Sequence, residues 1–217
     1  MKKKLNITIL ADNPGSWVIP YAKSLISTLM KEGHTAVLIH DARKVRKGDL
    51  AFFLSCEKII PQEIRQRNTH NLVVHESALP KGKGWSPLTW QILEGKNRVP
   101  ITLFEAEDSV DSGDIYLKGE MIFRGDELID EMRAIQGQKT IEMIMGFVRR
   151  YPGIKGTKQK GKESFYPRRR PADSALDTNK PLKDLFNQLR VADNERYPVF
   201  FIHKGKRYVL KVSKRAT

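Results

Sequence analysis

Apolar residues in this chain fall into short runs separated by stretches of helical spacing. LNITIL, residues 5–10, is a run of strand length. After the polar turn ADNPGSW, the segment PYAKSLISTLMKEGH sets Ala22, Leu25, Ile26, Leu29 and Met30 at helical intervals, with Pro20 near its start and Gly33 as its stop. TAVLIH (35–40), DLAFFLS (49–55) and NLVVHES (71–77) read as further strands, with a short helical piece at 61–66 between the last two. Residues 87–94 look helical, and VPITLFEAE (99–107) and DIYLKGEMI (114–122) look like strands. Leu128, Ile129, Met132, Ile135, Ile141, Ile144, Met145 and Val148 then mark one long amphipathic helix over 126–150. Strands alternating with helices predict an α/β fold whose mostly parallel sheet is flanked by helices.

Beyond this point the pattern weakens. PGIKGTKQKGKES, 152–164, is rich in Gly and Lys and reads as a linker or mobile loop. Leu182, Leu185, Phe186 and Leu189 predict a short helix, and PVFFIHKGKRYVLKV a β-hairpin turning at Lys204-Gly205. The expected organisation is a core over 1–150, Rossmann-like in form, followed by a linker and a small helix–hairpin extension over 151–217. The first turn lacks G-x-G-x-x-G, so an ordinary dinucleotide fingerprint is absent.

Composition narrows the function. No apolar run reaches membrane-spanning length, so no membrane partner is expected. The apolar part of MKKKLNITIL is too short and too polar for a cleaved signal, and is expected to be the first strand. A single cysteine, Cys56, excludes an internal disulfide and fits a reducing cytoplasm. The formal charge of +14, from 39 Lys and Arg against 25 Asp and Glu, suggests an anionic partner. It lies in scattered blocks (2–4, 43–47 and 149–170) rather than in one stripe. No His/Cys cluster has metal-ligand spacing, so no metal is expected.

The candidate chemistry begins at VVHESALPKGKGWSP. An isolated histidine at a strand end is often a hydrogen-bonded structural residue. His75, however, falls where open parallel sheets bind ligands, and imidazole exchanges protons near neutrality. The loop after it, with Lys81, would draw in an anionic substrate. FEAEDSVDSGDIY (104–116) carries Glu107, Asp108, Asp111 and Asp114. It reads either as a solvated acidic loop or as the source of a carboxylate, Asp111, that supports the imidazole.

These residues carry a resemblance. H-x-S-x-L-P followed by K-G-x-G, with V-D-S-G-D placing Asp111 thirty-six residues after His75, resembles the folate-dependent formyltransferases over roughly residues 5–125. The resemblance implies that His75 and Asp111 are catalytic and that 10-formyltetrahydrofolate is the formyl donor, with no metal. SCEKIIP (55–61) resembles the stretch lining the pterin pocket. On this basis Glu57 and Ile60, with Glu107, Asp108 and Val110, are expected at the folate, and Cys56 lies near it as a small buried residue. One position departs from the pattern. The family's asparagine falls at Val73, which offers no hydrogen-bond donor, where such a donor commonly contributes about 2.7–4 kcal/mol. Asn71 shares the strand face but lies about 7 Å away, too far to substitute.

The acceptor is read from the tail. Residues 151–217 fall short of the β-barrel that methionyl-tRNA formyltransferases carry, so nucleic acid is not the expected substrate. SFYPRRRPADSALD resembles the Y-P-x-R-x-P-x-D stretch of nucleotide-sugar N-formyltransferases, and Tyr166, Arg168, Arg170 and Asp173 are the candidates taken from it. Arginines suit a diphosphate, although a solvated basic loop is an equal reading. Asp12, Asn13, Ser16 and Trp17 would hold the sugar, or form a plain helix-entry turn. The expected reaction is formyl transfer to the 4-amino group of a nucleotide-linked deoxysugar. A UDP-linked precursor of pseudaminic acid, for a surface or flagellin glycan, is the first choice, and the enzyme is expected as a monomer or homodimer. A methionyl-tRNA formyltransferase-like or RNA-binding protein on the same fold is the alternative.

Overall fold

A computed structural model describes residues 3–215. Lys2, in the basic block at the start, lies outside the described residues. Six strands form the main sheet: β1 (Asn6–Leu10), β2 (Thr35–Ile39), β3 (Gly48–Phe53), β4 (Asn68–His75), β6 (Arg98–Glu105) and β7 (Ile115–Ile122). Their order is β2-β1-β3-β4-β6-β7. β2, β1, β3 and β4 are mutually parallel, whereas β6 and β7 are added antiparallel. The sheet is therefore the Rossmann-like α/β arrangement that the periodicity predicts, with an antiparallel edge. Strand direction is set by connections, not by apolar period, so the edge was not legible in the sequence.

Helices α1 (Ile19–Lys31) and α4 (Ile129–Arg150) cover one face of the sheet. Ala22, Leu25 and Leu29 of α1 pack with Ile7, Ile9, Leu50, Phe52 and Leu72 and with Met132, Ile144 and Phe147 of α4 in one cluster. Met30, which the helical spacing marks as apolar-face, is instead exposed because it lies just outside the arc that meets the sheet. The other face carries a smaller cluster of Leu10, Ala51, Phe53, Ile60 and Ile64, the last on α2 (Gln62–Arg65). α3 (Pro87–Leu93) contributes Leu88 and Ile92 to the main cluster.

Residues 152–164, read from composition as a linker, run closely along the core. Thr157 bridges to Ile115, Lys83 is buried and paired with Glu163 at 2.6 Å, and the Gly82 N–H donates to Ser164 Oγ at 2.9 Å. Two-residue strands β5 (Lys83–Gly84) and β8 (Phe165–Tyr166) then pair in parallel, a contact too short to leave any periodicity. Gly84 is required here: at φ +94°, a Cβ would lie 2.6 Å from the Tyr166 carbonyl oxygen.

The chain ends in α5 (Phe186–Arg190) and the hairpin of β9 (Val199–His203) and β10 (Lys206–Leu210). Lys204 and Gly205 both take positive φ at the predicted turn, as a two-residue hairpin connection demands. Arg190 fastens this extension to the core. It is fully buried, its guanidinium pairs with Glu127 at 3.2 Å, and it donates to Asn97 Oδ1 at 2.9 Å.

Candidate active site

The carboxyl ends of β1, β3 and β4 open into a cavity of about 430 Å³. This is where open α/β sheets bind ligands, beside the point where the chain leaves β1 for β2 on one side and β3 on the other. His75, the last residue of β4, is buried at its centre. Its Nε2 lies 2.8 Å from the Gly82 carbonyl oxygen. A carbonyl only accepts, so Nε2 carries the proton and the neutral ring's lone pair is on Nδ1.

Asp111 reaches the histidine from the loop after β6. Its Oδ2 lies 3.6 Å from His75 Nε2 and accepts the Gly84 N–H at 2.8 Å. The pair is thus a close charge contact organised by the 82–84 backbone, not a direct hydrogen bond. Two features hold the aspartate in place. Asp111 itself sits at φ 49°, which the short acidic side chain tolerates. At Gly113 a Cβ would lie 1.9 Å from the Glu105 carbonyl oxygen, so only glycine lets the loop fold back against β6. Ser55 and Ser86 also line the cavity at positive φ, and such backbone strain concentrates at functional sites.

Residues 22–144, more than half of the chain, match the family described as formyl transferase. The chain belongs to that family. Curated relatives named methionyl-tRNA formyltransferase, from bacteria such as Coprothermobacter proteolyticus and Thermus thermophilus, are 24–27% identical to it over 61–77% of its length. The chain spans about half the length of these relatives. Among solved structures, a methionyl-tRNA formyltransferase from Clostridium thermocellum is 23% identical at a TM-score of 0.80, covering 94% of this chain and 90% of that one. HypX from Aquifex aeolicus, solved with tetrahydrofolic acid, is 19% identical at 0.74, over 94% and 37%. A 4-N formyltransferase from Francisella tularensis is 16% identical at 0.72, over 98% and 99%.

In this chain the expected site residues divide sharply. Glu57, Ile60, Glu107, Val110, Asn13, Ser16, Trp17 and Arg168 border the cavity with His75 and Asp111. Asp12 does not: its Oδ2 accepts the Glu57 N–H at 2.8 Å, tying the loop after β1 to the loop after β3. Asp108 pairs outside with Arg65. Lys81 is exposed away from the cavity, and the buried lysine of that loop is Lys83. Tyr166 donates to Glu94 at 3.0 Å and stacks with Trp90, so it fixes the tail to α3. Arg170 is exposed and outside. Its neighbour Arg169 turns in, bonded to the Val191 carbonyl at 3.1 Å and to Ser174 Oγ at 3.1 Å, with its Nε unpartnered.

Asn71 also has a structural duty, its amide donating to the Arg65 carbonyl at 2.8 Å. Val73 packs between Phe104 and the Ile60 cluster and borders the cavity with no polar atom to offer. The Cys56 thiol donates to the Leu10 carbonyl, and burial pushes its pKa up to about 12, which makes it inert rather than nucleophilic.

Several residues lay beyond the sequence reading. Glu76, Trp85, Arg133, Gln136, Asp193, Arg196 and Tyr197 all line the cavity. Arg133 pairs with Asp193 at 2.6 Å, joining α4 to the extension, and Arg168 lies 4.6 Å over the Trp85 ring. Gln159 donates to the carbonyls of Asp111 and Gly113, both at 2.9 Å. It holds the Asp111 loop from a segment whose composition is dominated by lysine and glycine.

Proposed function

We propose that this formyltransferase moves a formyl group from 10-formyltetrahydrofolate to the 4-amino group of a nucleotide-linked amino-deoxysugar. A UDP-linked precursor of pseudaminic acid is the first acceptor to test, and the reaction belongs in the cytoplasm. The observation that carries the reading is the mixed lining of the one cavity that holds His75. Phe53, Ile60, Val73, Phe104 and Val110 supply apolar walls with the 55–60 segment, a fit for a flat ring system. Glu57, Ile60, Glu107 and Val110 would hold the folate there. The same cavity is lined by Arg133, Arg169 and Arg196 with Trp17 and Tyr197, and by Arg168, which pairs with Glu57 at 3.4 Å, a set of donors and rings suited to a diphosphate and its attached rings.

The chemistry follows from the tautomer. His75 Nδ1 takes a proton from the acceptor nitrogen as that nitrogen bonds to the formyl carbon, and returns it to the departing folate nitrogen. The carboxylate of Asp111, 3.6 Å from Nε2, favours the imidazolium formed between these steps. Opposite charges about 4 Å apart near a protein surface attract by about 4 kcal/mol. Val73 donates nothing to the formyl oxygen, so its developing charge falls to the imidazolium or a backbone amide.

Incubation with 10-formyltetrahydrofolate and a UDP-4-amino-4,6-dideoxy sugar should yield the N-formyl sugar by mass spectrometry. Efficient formylation of charged initiator tRNA, with none of any amino-sugar nucleotide, would overturn the reading. That second activity is favoured by the names of the curated relatives and by the +14 charge.

A further inference from the structure

Glu76 follows His75 directly, and on a regular strand the two side chains would point to opposite faces. The chain leaves β4 at this point. The Ser77 N–H donates to the His75 carbonyl at 2.9 Å, a three-residue turn centred on Glu76, and both side chains border the same cavity. From α4, the Gln136 amide donates to Glu76 Oε1 at 2.7 Å, while Gln91 of α3 donates to the Glu76 carbonyl at 2.6 Å. The carboxylate is thus aimed by one helix and its backbone is pinned by another.

No protein cation is paired with it among the described residues. Arg133, one turn before Gln136 on α4, borders the cavity but is engaged by Asp193 at 2.6 Å and Asp130 at 3.3 Å. The other titratable groups facing Glu76 are His75 and Asp111. Burial raises the proton affinity of the Glu76 carboxyl and nearby Asp111 adds to it, against His75 and Gln136, which lower it. A cavity carboxylate in such surroundings is stabilised by a cationic ligand group, because an anion removed from water needs a partner.

We propose that Glu76 selects the acceptor: its carboxylate binds the acceptor's amino group beside His75 and distinguishes it from a hydroxyl at the same carbon. The inference rests on the amino-sugar reading and adds to it the residue that recognises the reacting group. A hydroxyl and an ammonium can both donate to the Glu76 carboxylate, but only the ammonium brings an opposite charge to a site where the anion has no protein cation. Glu76 thereby holds the nitrogen within reach of His75; the ammonium first releases one proton to solvent, and the neutral amine so formed is the nucleophile whose second proton His75 takes.

The test is calorimetry with a UDP-4-amino-4,6-dideoxy sugar, its 4-hydroxy counterpart and, as a control, tetrahydrofolate. The wild type should prefer the amino sugar by about tenfold or more, because only the ammonium adds the attraction of an opposite charge to its hydrogen bond. Glu76→Gln should erase that preference and leave tetrahydrofolate affinity unchanged, and Glu76→Asp, which keeps the charge, should retain part of it. A Glu76→Gln protein that keeps the full preference, or a Glu76→Asp protein that loses all of it, overturns the proposal alone. A wild type that binds tetrahydrofolate but neither sugar removes the amino-sugar reading, and this inference with it.

Discussion

Gln159 offers a way to separate loop positioning from stability. Its amide donates to two carbonyls that flank the turn of Asp111, while its own Oε1 is buried without a partner among the described residues. Gln159→Leu removes two hydrogen bonds, each contributing about 0.5–1.5 kcal/mol net. It also removes the unpartnered oxygen, whose burial costs about 1–3 kcal/mol. The two effects nearly cancel, so the melting temperature should move by only a few degrees, at about 2–4 °C per kcal/mol for a chain of this size. Positioning does not cancel. With the Asp111 and Gly113 carbonyls released, the carboxylate loses its fixed approach to His75, and a misplacement of about 1 Å can cost on the order of 10²-fold in rate. Steady-state kinetics should therefore show a fall in kcat of about tenfold or more, with tetrahydrofolate affinity by calorimetry nearly unchanged. A Gln159→Leu protein with full kcat would refute the argument, and so would one whose loss of activity tracks a large fall in melting temperature.

Other tests are simpler. His75→Ala should lower turnover by about 10²–10⁴ while the melting curve stays cooperative; near-full activity would exclude it as the proton acceptor. Val73→Asn should lose about 1–3 kcal/mol, because a buried amide would stand among Phe104 and the Ile60 cluster without a partner; a gain in turnover without loss of stability would show that the pocket lacks only a donor. Arg190→Ala takes the buried guanidinium from Glu127 but leaves it the Arg124 and Gly125 N–H donors at 2.7 and 3.0 Å and the Arg124 Nε at 3.7 Å, so denaturant melts should report a loss of about 1–3 kcal/mol. Cys56, with its thiol pushed up to about 12, should react with a thiol reagent at pH 8 far more slowly in the native chain than after unfolding.

The periodic elements of this fold were legible because burial on one face writes a period into the chain, as Ala22, Leu25 and Leu29 show. His75 and Asp111 stand out for a different reason, the spacing of their two motifs, since a strand-end histidine or a loop acid alone reads equally as structural; the structure brings both to the cavity. The arginine wall was not. Arg133 and Gln136 lie on a helix face that reads as solvated, and only the packing of the extension against α4 shows that it borders a cavity. In the run Arg168-Arg169-Arg170 the side chains of the first two reach the cavity and the third does not, a choice made by backbone course rather than residue type. Asp12 and Tyr166 have the right chemistry for a ligand but spend it on Glu57 and Glu94.

The cavity is lined from separate stretches of chain. Val191, Asp193, Arg196 and Tyr197 come from the extension, whereas His75 and Asp111 stand on the sheet and its loops. Under the proposed function, substitutions near residue 195 would redraw the entrance that an acceptor meets and leave His75 and Asp111 untouched. Enzymes of this build can diversify their clientele by drift in one short surface segment, and a laboratory seeking a new acceptor would randomise that segment first.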